Sequence, residues 1–165
     1  MSPDPSKPSE TVDSSVFERL QARLAAACVA FNVLRHGPVT TSEEAALVRG
    51  TSLASGAKAL LLMLDGRPEL FVLPADRKLD SRKLRKSLSV RSLRFASVDE
   101  VVAITRLRPG AIPPFGSLFG LATYCDPAMA ANPSINFNAG DHAVSISMPY
   151  ADFVRVECPK MVEIT

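Results

Sequence analysis

The spacing of apolar residues predicts that the chain begins its folded part with an amphipathic helix. The helix is expected to start at Asp13 or Ser14, both favourable N-cap residues, and to be followed by a short apolar strand over residues 31–34. Its apolar stripe recurs at helical spacing and consists of Val16, Leu20, Leu24, Ala27 and Phe31.

The next segment predicts a short helix and then a β-hairpin. Thr41 and Glu44 have the spacing of a capping box, and Gly50 is a suitable residue to end the helix that they begin. Two apolar runs, residues 57–64 and 69–73, are separated by a short polar loop, which indicates a hairpin. Because the runs are almost continuously apolar, both strands are expected to be buried on two faces.

The rest of the chain alternates irregularly between helices and strands. Asp80 and Ser97 are N-cap residues for two further helices, with a strand over residues 93–96 between them and a proline-rich loop over residues 109–116 after them. The final third predicts strands near residues 117–121, 134–137 and 143–148, and a last strand ending at Thr165.

This order of elements predicts a single α/β (α+β) domain. Strands outnumber helices and do not alternate with them regularly, so we expect a mixed, curved or barrel-like β-sheet flanked by helices. Residues 1–12 contain three prolines and three serines and almost nothing apolar, which predicts a disordered N-terminal tail before a domain over residues 13–165. A chain of 165 residues is long enough for one sizeable core and too short for two.

Composition indicates a soluble cytoplasmic protein without a metal or cofactor. No apolar stretch is long enough to span a membrane, and the first residues lack the apolar segment of a signal peptide. Three widely spaced cysteines and two histidines form no zinc-binding pattern. They also offer no cysteine–histidine spacing typical of a nucleophile, and no GxSxG motif is present.

Positive charge is concentrated in one segment. The net charge is only +2, but residues 76–94 contain eight basic and two acidic residues. A solvated basic helix is one explanation, and a surface that binds phosphates is the other. The candidate phosphate-binding residues are Arg77, Lys78, Arg82, Lys83 and Lys86.

Lys58 is the least expected residue of the predicted hairpin. Its neighbours are apolar on both faces of the strand, and burying an unpaired ammonium group is costly. Lys58 therefore either reaches water from the end of the strand or lines a cleft that receives anions or carbonyl oxygens. The strand pattern alone leaves both explanations open.

The proline-rich loop offers a second candidate for chemistry. Pro113 and Pro114 have no amide hydrogens and stiffen the backbone. The amides of Gly110, Ala111 and Ile112 remain available, so a rigid turn could direct them at a carbonyl oxygen or a phosphate. The alternative is an ordinary rigid surface loop.

Four segments in order resemble a known family. They are GAKALLL (residues 56–62), VLPADRKLDSRKLRK (72–86), PGAIPPFG (109–116) and NFNAG (136–140). Together they resemble the YbaK and prolyl-tRNA-synthetase-insertion superfamily of aminoacyl-tRNA editing domains, over about residues 14–156. The resemblance implies a mixed sheet closed toward a barrel, in agreement with the pattern of elements.

The resemblance also implies site residues. Lys58 matches the functional lysine of the family, and residues 110–114 match its GxxxP loop, whose glycine end lies beside the scissile ester. Lys58 and Gly110 are therefore the expected catalytic residues. The expected substrate-binding residues are Ala111, Ile112, Pro113, Pro114, Thr41, Glu44, Asp126, Asn138, Gly140 and His142, although His142 alone would more often be an ordinary strand residue.

The implied activity is a free-standing trans-editing deacylase that hydrolyses the ester of a mischarged tRNA. The amino acid would be small, such as alanine, serine, threonine or cysteine, with tRNA-Pro a leading carrier. Water would attack with help from the ribose hydroxyl of the substrate, and Lys58 with the loop amides would stabilise negative charge. The implied partners are aminoacyl-tRNA and an aminoacyl-tRNA synthetase.

Two other classes of protein remain as alternatives. A non-catalytic tRNA-binding or synthetase-docking module of the same fold would explain the basic segment but gives no reason to keep Lys58 in an apolar strand. A DNA-binding regulator would rest on the basic helix alone and lacks a helix-turn-helix pattern.

Overall fold

The computed structural model describes residues 14–165, so the predicted tail and the helix start at Asp13 lie outside the described residues. This part of the chain contains five α-helices and eight β-strands. In chain order they are α1 (Ser14–Ala26), β1 (Asn32–Arg35), α2 (Ser42–Arg49), β2 (Ala57–Leu64), β3 (Arg67–Pro74), α3 (Ser81–Leu88), β4 (Leu93–Phe95), α4 (Val98–Thr105), β5 (Thr123–Cys125), β6 (Ser134–Asp141), β7 (Val144–Pro149), α5 (Tyr150–Glu157) and β8 (Lys160–Met161).

A five-stranded sheet is built around the predicted hairpin. β2 and β3 pair antiparallel along their whole lengths and are joined by a tight turn at Asp65 and Gly66, both with positive φ. β4 extends the sheet beyond β2, while β5 and β8 add parallel strands beyond β3. In this register Lys58 lies opposite Leu73, so the start of β2 and the end of β3 form the same edge of the sheet.

A second, three-stranded sheet has the order β1-β7-β6. The two sheets meet where Gly56, just before β2, forms a parallel bridge with Asn136 of β6. A side chain at residue 56 would not fit, because a Cβ there would lie 2.9 Å from the Cβ of Ala75. The predicted mixed α/β class is confirmed, with the curved sheet divided into two sheets joined at this bridge.

The hairpin strands β2 and β3 are largely buried on both faces, as their continuous apolar pattern predicted. One face packs with the three-stranded sheet, α1 and α5 in a large core that includes Leu61 and Phe137. The opposite face carries Leu62 and Phe71 in a smaller core, closed by Leu84 of α3. Successive β2 residues thus point into different cores, as strand geometry requires.

Three predictions for the last third need correction. Residues 116–119 form a 3-10 helix that ends at Gly120, which has φ +70°, so the strand predicted over residues 117–121 is wrong. Helix α5 was not predicted, because it is only about two turns long and has Pro149 in place of a polar N-cap residue. The last strand, β8, ends at Met161 and not at Thr165.

Candidate active site

A cleft of about 510 Å³ lies at the edge where the two sheets meet. Its walls come from five places in the chain: the first turns of α2, the start of β2, residues 75–78 after β3, the proline-rich loop, and β6 with the turn that follows it. Lys58 and Gly110, the two expected catalytic residues, both line it. The fold therefore brings together residues that are more than fifty positions apart in the sequence.

Lys58 is a half-buried cation in this cleft. The side chains beside it on β2, Ala57 and Ala59, are small and apolar and also line the cleft. Within residues 14–165 no carboxylate forms a salt bridge with Lys58, and no hydrogen bond ties its ammonium group. The lysine therefore faces the cleft with its charge available to a ligand, instead of being neutralised by the protein.

The proline-rich loop approaches the cleft through Gly110 and Ile112. Gly110 has φ +89°, a conformation that residues with a side chain rarely adopt. The prediction of three available amides needs correction, because the Ala111 amide donates to the carbonyl of Arg108 at 3.1 Å. In the described part of the chain the amides of Gly110 and Ile112 have no acceptor, which leaves two donors for a ligand.

The end of the β6–β7 hairpin holds this loop in place with three hydrogen bonds. The Asn138 amide nitrogen donates to the carbonyl of Gly110 at 2.8 Å, and Nε2 of His142 lies 3.0 Å from the carbonyl of Pro109. The backbone amide of Gly140 donates to the carbonyl of Ala111 at 2.8 Å. Because a carbonyl only accepts, the hydrogen bond to Pro109 requires a hydrogen on Nε2 of His142.

The structure separates the predicted substrate-binding residues into two groups. Thr41, Ile112, Asn138 and His142 line the cleft. Ala111, Pro113 and Pro114 are buried behind it, and Gly140 packs near Val16 of α1. The residues of the second group form or contact the buried side of the loop and do not line the cleft.

Helix α2 places its N-terminus at the mouth of the cleft. Thr41 caps the helix by accepting from the amide of Glu44 at 3.1 Å, as its spacing predicted. The carboxylate of Glu44 accepts from the amide of Thr40 at 3.0 Å and is absent from the cleft wall, so the predicted contact of Glu44 with substrate is corrected to capping. Glu43 and Asp76 supply the carboxylates that line the cleft.

Asp126 does not line the cleft, where it was predicted, but lies in the protein interior. It is buried, and its carboxylate accepts from the amides of Ala128, Ile164 and Thr165 and from the Thr165 hydroxyl. Burial alone would raise the pKa of Asp126, but these hydrogen bonds lower it by more, so the pKa lies below its ordinary value. Asp126 fastens the C-terminal segment to β5.

We expect Asp126→Asn to lower the free energy of unfolding at neutral pH by about 2–4 kcal/mol, because an amide cannot accept from all these donors. The folded-state pKa is depressed, so the carboxylate contributes stability above its unfolded-state pKa of about 4, and this contribution disappears as the pH falls through the folded-state pKa. Urea unfolding across this pH range should show the difference between the two proteins shrinking in acid. Asp99→Asn, at an exposed position, is the control, and equal losses in both variants would contradict the assignment.

Arg49 lines the cleft and was missed by the sequence analysis. It is half-buried, and burial lowers the pKa of its guanidinium to about 10, so the group remains charged at neutral pH. Helical spacing could have revealed it, since Ser42, Ala45 and Arg49 recur at i, i+3 and i+7 and share the face that looks into the cleft. The position of Arg49 in the last turn of a short helix gives no further sign of the cleft, because a solvated basic residue is also favourable there.

The predicted phosphate-binding residues extend outward from the cleft. Arg77 and Lys78 line it directly. Arg82, Lys83 and Lys86 are exposed on α3, which follows at once along the chain. Lys83 also donates to the backbone carbonyl of Thr165 at 2.6 Å. Together the five form one surface that begins inside the cleft, the basic surface.

Within residues 14–165, no group of three or more acidic, histidine and cysteine residues could hold a metal ion, and no helix is long and apolar enough to cross a membrane. Cys125 is buried, and burial raises the pKa of its thiol to about 12, which makes it unreactive.

The fold and the cleft define a class of protein: an α/β domain whose cleft is lined by a lysine and by a loop with two backbone amides that have no acceptor in the described residues, next to a basic surface. Comparison with known sequences identifies the family. The profile of the aminoacyl-tRNA editing domain matches residues 36–156, and the chain belongs to that family. The predicted superfamily is thereby confirmed, and with it the predicted activity class, editing of aminoacyl-tRNA by deacylation.

Individual relatives agree with this assignment. The chain is 33% identical to the multifunctional Ser/Thr-tRNA deacylase ProXp-y of Escherichia coli K12, over 90% of this chain and 92% of that protein. It is also 33% identical to a proline–tRNA ligase of Bacillus licheniformis, over 58% of this chain but only 17% of the ligase. A crystal structure described as a candidate trans-editing enzyme for prolyl-tRNA synthetase superposes with a TM-score of 0.78, at 20% identity, over 91% of this chain and 96% of that one. That likeness shows a shared fold.

Proposed function

We propose that this protein hydrolyses the ester of a tRNA mischarged with a small amino acid, with serine and threonine the first candidates and tRNA-Pro a carrier to be tested. The observation that carries the proposal is Lys58, a half-buried cation in the same cleft as the amides of Gly110 and Ile112; within residues 14–165 the lysine has no ion-pair partner and the two amides have no acceptor. The 33% identity to a Ser/Thr-tRNA deacylase supports the choice of amino acids.

The chemistry required is modest. An aminoacyl ester is already reactive, and a hydroxyl group of the terminal ribose lies next to the ester oxygen. A water molecule attacks the carbonyl carbon, the bond from that carbon to the ribose oxygen breaks, and the ribose oxygen takes up a proton. The products are the free amino acid and the uncharged tRNA.

We assign Lys58 and the loop to stabilisation of charge in this step. As water adds, negative charge develops on the carbonyl oxygen, and fixed donors aimed at that oxygen lower the barrier. Lys58 supplies a positive charge from one wall of the cleft, and the amides of Gly110 and Ile112 supply dipoles from the other. Neither group needs to act as a base, because the adjacent ribose hydroxyl can assist the proton transfers.

The walls of the cleft favour a small, polar amino acid. Apolar contacts come from residues such as Val39 and Ala45, while Thr41, Ser42 and Asn138 add polar groups that can pair with a hydroxyl. A site with such polar partners discriminates against analogues that lack the hydroxyl, because its own groups are then left unpaired. This is the basis for placing serine and threonine ahead of alanine and cysteine.

The basic surface is assigned to the tRNA backbone. Its inner members, Arg77 and Lys78, line the cleft, and its outer members extend along α3. A tRNA whose acceptor end occupies the cleft would place nearby phosphates over these residues. Binding that neutralises phosphates releases counterions, so deacylation at subsaturating tRNA is expected to weaken as salt rises.

A panel of aminoacyl-tRNAs tests the function. Purified protein is incubated with tRNA-Pro, tRNA-Thr and tRNA-Ser, each charged with alanine, serine, threonine, cysteine or proline, and loss of the ester is followed against the rate without enzyme. We expect release of serine or threonine to exceed release of proline. Binding of the tRNAs without accelerated release from any of them would favour a non-catalytic docking module of the same fold.

A further inference from the structure

Arg49 makes two directed hydrogen bonds to neutral partners beside the cleft. Its Nε donates to the Ser145 hydroxyl at 2.8 Å, and a terminal nitrogen donates to Oδ1 of Asn138 at 2.8 Å. Within residues 14–165 no carboxylate forms a salt bridge with it. A buried arginine is usually paired with an acid. The hydrogen bonds of Arg49 to a serine hydroxyl and an asparagine oxygen therefore suggest a specific role.

Ser145 contacts His36 and Asn138 as well as Arg49. Nδ1 of His36 lies 2.7 Å from the carbonyl of Gly37, and a carbonyl only accepts, so Nδ1 carries a hydrogen. Nε2 of the same ring lies 2.8 Å from the Ser145 hydroxyl, which also lies 3.5 Å from Oδ1 of Asn138. Whichever contact takes the hydroxyl hydrogen, the Ser145 oxygen keeps a lone pair for Nε of Arg49.

The orientation of the Asn138 amide is fixed. A guanidinium has no acceptor, so the Asn138 atom that faces Arg49 must be its oxygen. The amide nitrogen then points the opposite way and donates to the carbonyl of Gly110 at 2.8 Å. If the Asn138 amide were turned over, its nitrogen would meet the donors of Arg49 and its oxygen would meet the carbonyl of Gly110, and both hydrogen bonds would be lost.

We propose that Arg49 is a positioning residue of the deacylase, which acts through Asn138 to hold the carbonyl of Gly110, and with it the turn that carries the Gly110 amide, in place beside the cleft. The proposal rests on the function proposed above. Because glycine has wide backbone freedom, the peptide that joins Gly110 to Ala111 has alternative orientations at little cost, and the Asn138 hydrogen bond selects one of them. Arg49 thereby affects the step at which charge develops on the carbonyl oxygen more than it affects tRNA binding.

Kinetics of three variants test this role. We expect Arg49→Met to lower kcat by about 10- to 100-fold, since small displacements of catalytic groups have effects of that size, with KM for tRNA within about twofold. Arg49→Lys should recover only part of the loss, because one ammonium group cannot replace the two directed bonds. Arg67→Met, at an exposed position outside the cleft, is the matched control and should leave both constants unchanged.

A double-mutant cycle separates positioning from a general effect on stability. If Arg49 acts through Asn138, Arg49→Met combined with Asn138→Ala should have nearly the same kcat as Asn138→Ala alone. Multiplied losses in the double variant would overturn the proposal. So would an Arg49→Met variant with a raised KM and an unchanged kcat, which would make Arg49 a ligand for tRNA phosphate.

A spectroscopic measurement covers the case in which the protein releases no amino acid, which would count against the proposed function alone. In ¹⁵N-labelled protein, the side-chain amide signals of Asn138, assigned from the Asn138→Ala variant, should be shifted by their fixed hydrogen bond. We expect these signals to move toward the range of exposed asparagines in Arg49→Met and to stay in place in Arg67→Met. Unchanged signals in a folded Arg49→Met variant would overturn the positioning role independently of any turnover.

Discussion

Lys58→Met is expected to reduce kcat for deacylation by about 100-fold or more while the protein stays folded. The side chain is half-buried next to Ala57 and Ala59 and has no ion-pair partner within residues 14–165, so in the proposed mechanism its charge is available to the oxygen that becomes negative in the transition state. Removing one such stabilising group typically costs two to three orders of magnitude in kcat, about 2.7–4 kcal/mol. Single-turnover release of labelled amino acid measures the effect directly.

The same substitution should leave stability unchanged or increase it. A half-buried ammonium without a paired acid is unfavourable in the folded state, and methionine has a similar length and fits the apolar surroundings of β2. Thermal unfolding of the variant should therefore show no fall in Tm. A loss of activity accompanied by a clear fall in Tm would instead indicate that Lys58 has a structural role.

Two comparisons sharpen this prediction. Lys58→Arg keeps the charge but moves it and spreads it over a planar group, so we expect partial activity. Lys160→Met removes an exposed lysine that lies over the ring of Tyr124, outside the cleft, and should leave kcat unchanged. Equal activity of Lys58→Met and wild type would contradict the assigned mechanism.

The central hairpin and the helix caps could be predicted from local sequence because their causes are local. The continuous apolar runs of β2 and β3 require burial on both faces, and Thr41, Asp80 and Ser97 cap their helices through short-range hydrogen bonds. The 3-10 helix at residues 116–119 could not be predicted in this way. An apolar run of that length suits a strand, and only the left-handed turn at Gly120 and the packing of its neighbours decide otherwise.

The resemblance to the family correctly placed some residues in the cleft. It could not give the role of residues whose contacts are with distant parts of the chain. Lys58 and Gly110 line the cleft as expected. Asp126 was also expected there from the resemblance, because it falls where related domains carry polar site residues, but its hydrogen bonds to the C-terminal segment form only in the fold. Arg49 was missed for the converse reason, since its partners Asn138 and Ser145 are about ninety residues away in sequence.

Gly110→Ala is expected to lower kcat by about 10- to 100-fold, and Gly120→Ala should not. Both glycines have positive φ, +89° and +70°, so an alanine at either position costs about 1–2 kcal/mol in backbone strain. Only at Gly110 is there also a steric conflict, because the new Cβ would lie 3.2 Å from Nε2 of His142, whereas nothing lies within 4 Å of a Cβ at Gly120.

Comparing Gly110→Ala with Gly120→Ala separates the effect of moving the loop from the effect of backbone strain. Relief of the contact at residue 110 requires His142 or the loop to move, and the hydrogen bond of 3.0 Å from His142 to the carbonyl of Pro109 is the first to be disturbed. In the proposed mechanism the amide of residue 110 is then displaced from the carbonyl oxygen of the substrate, while the basic surface assigned to tRNA is unchanged. Equal kcat values for the two alanine variants, at similar losses of Tm, would mean that the loop stabilises the fold and takes no part in the reaction.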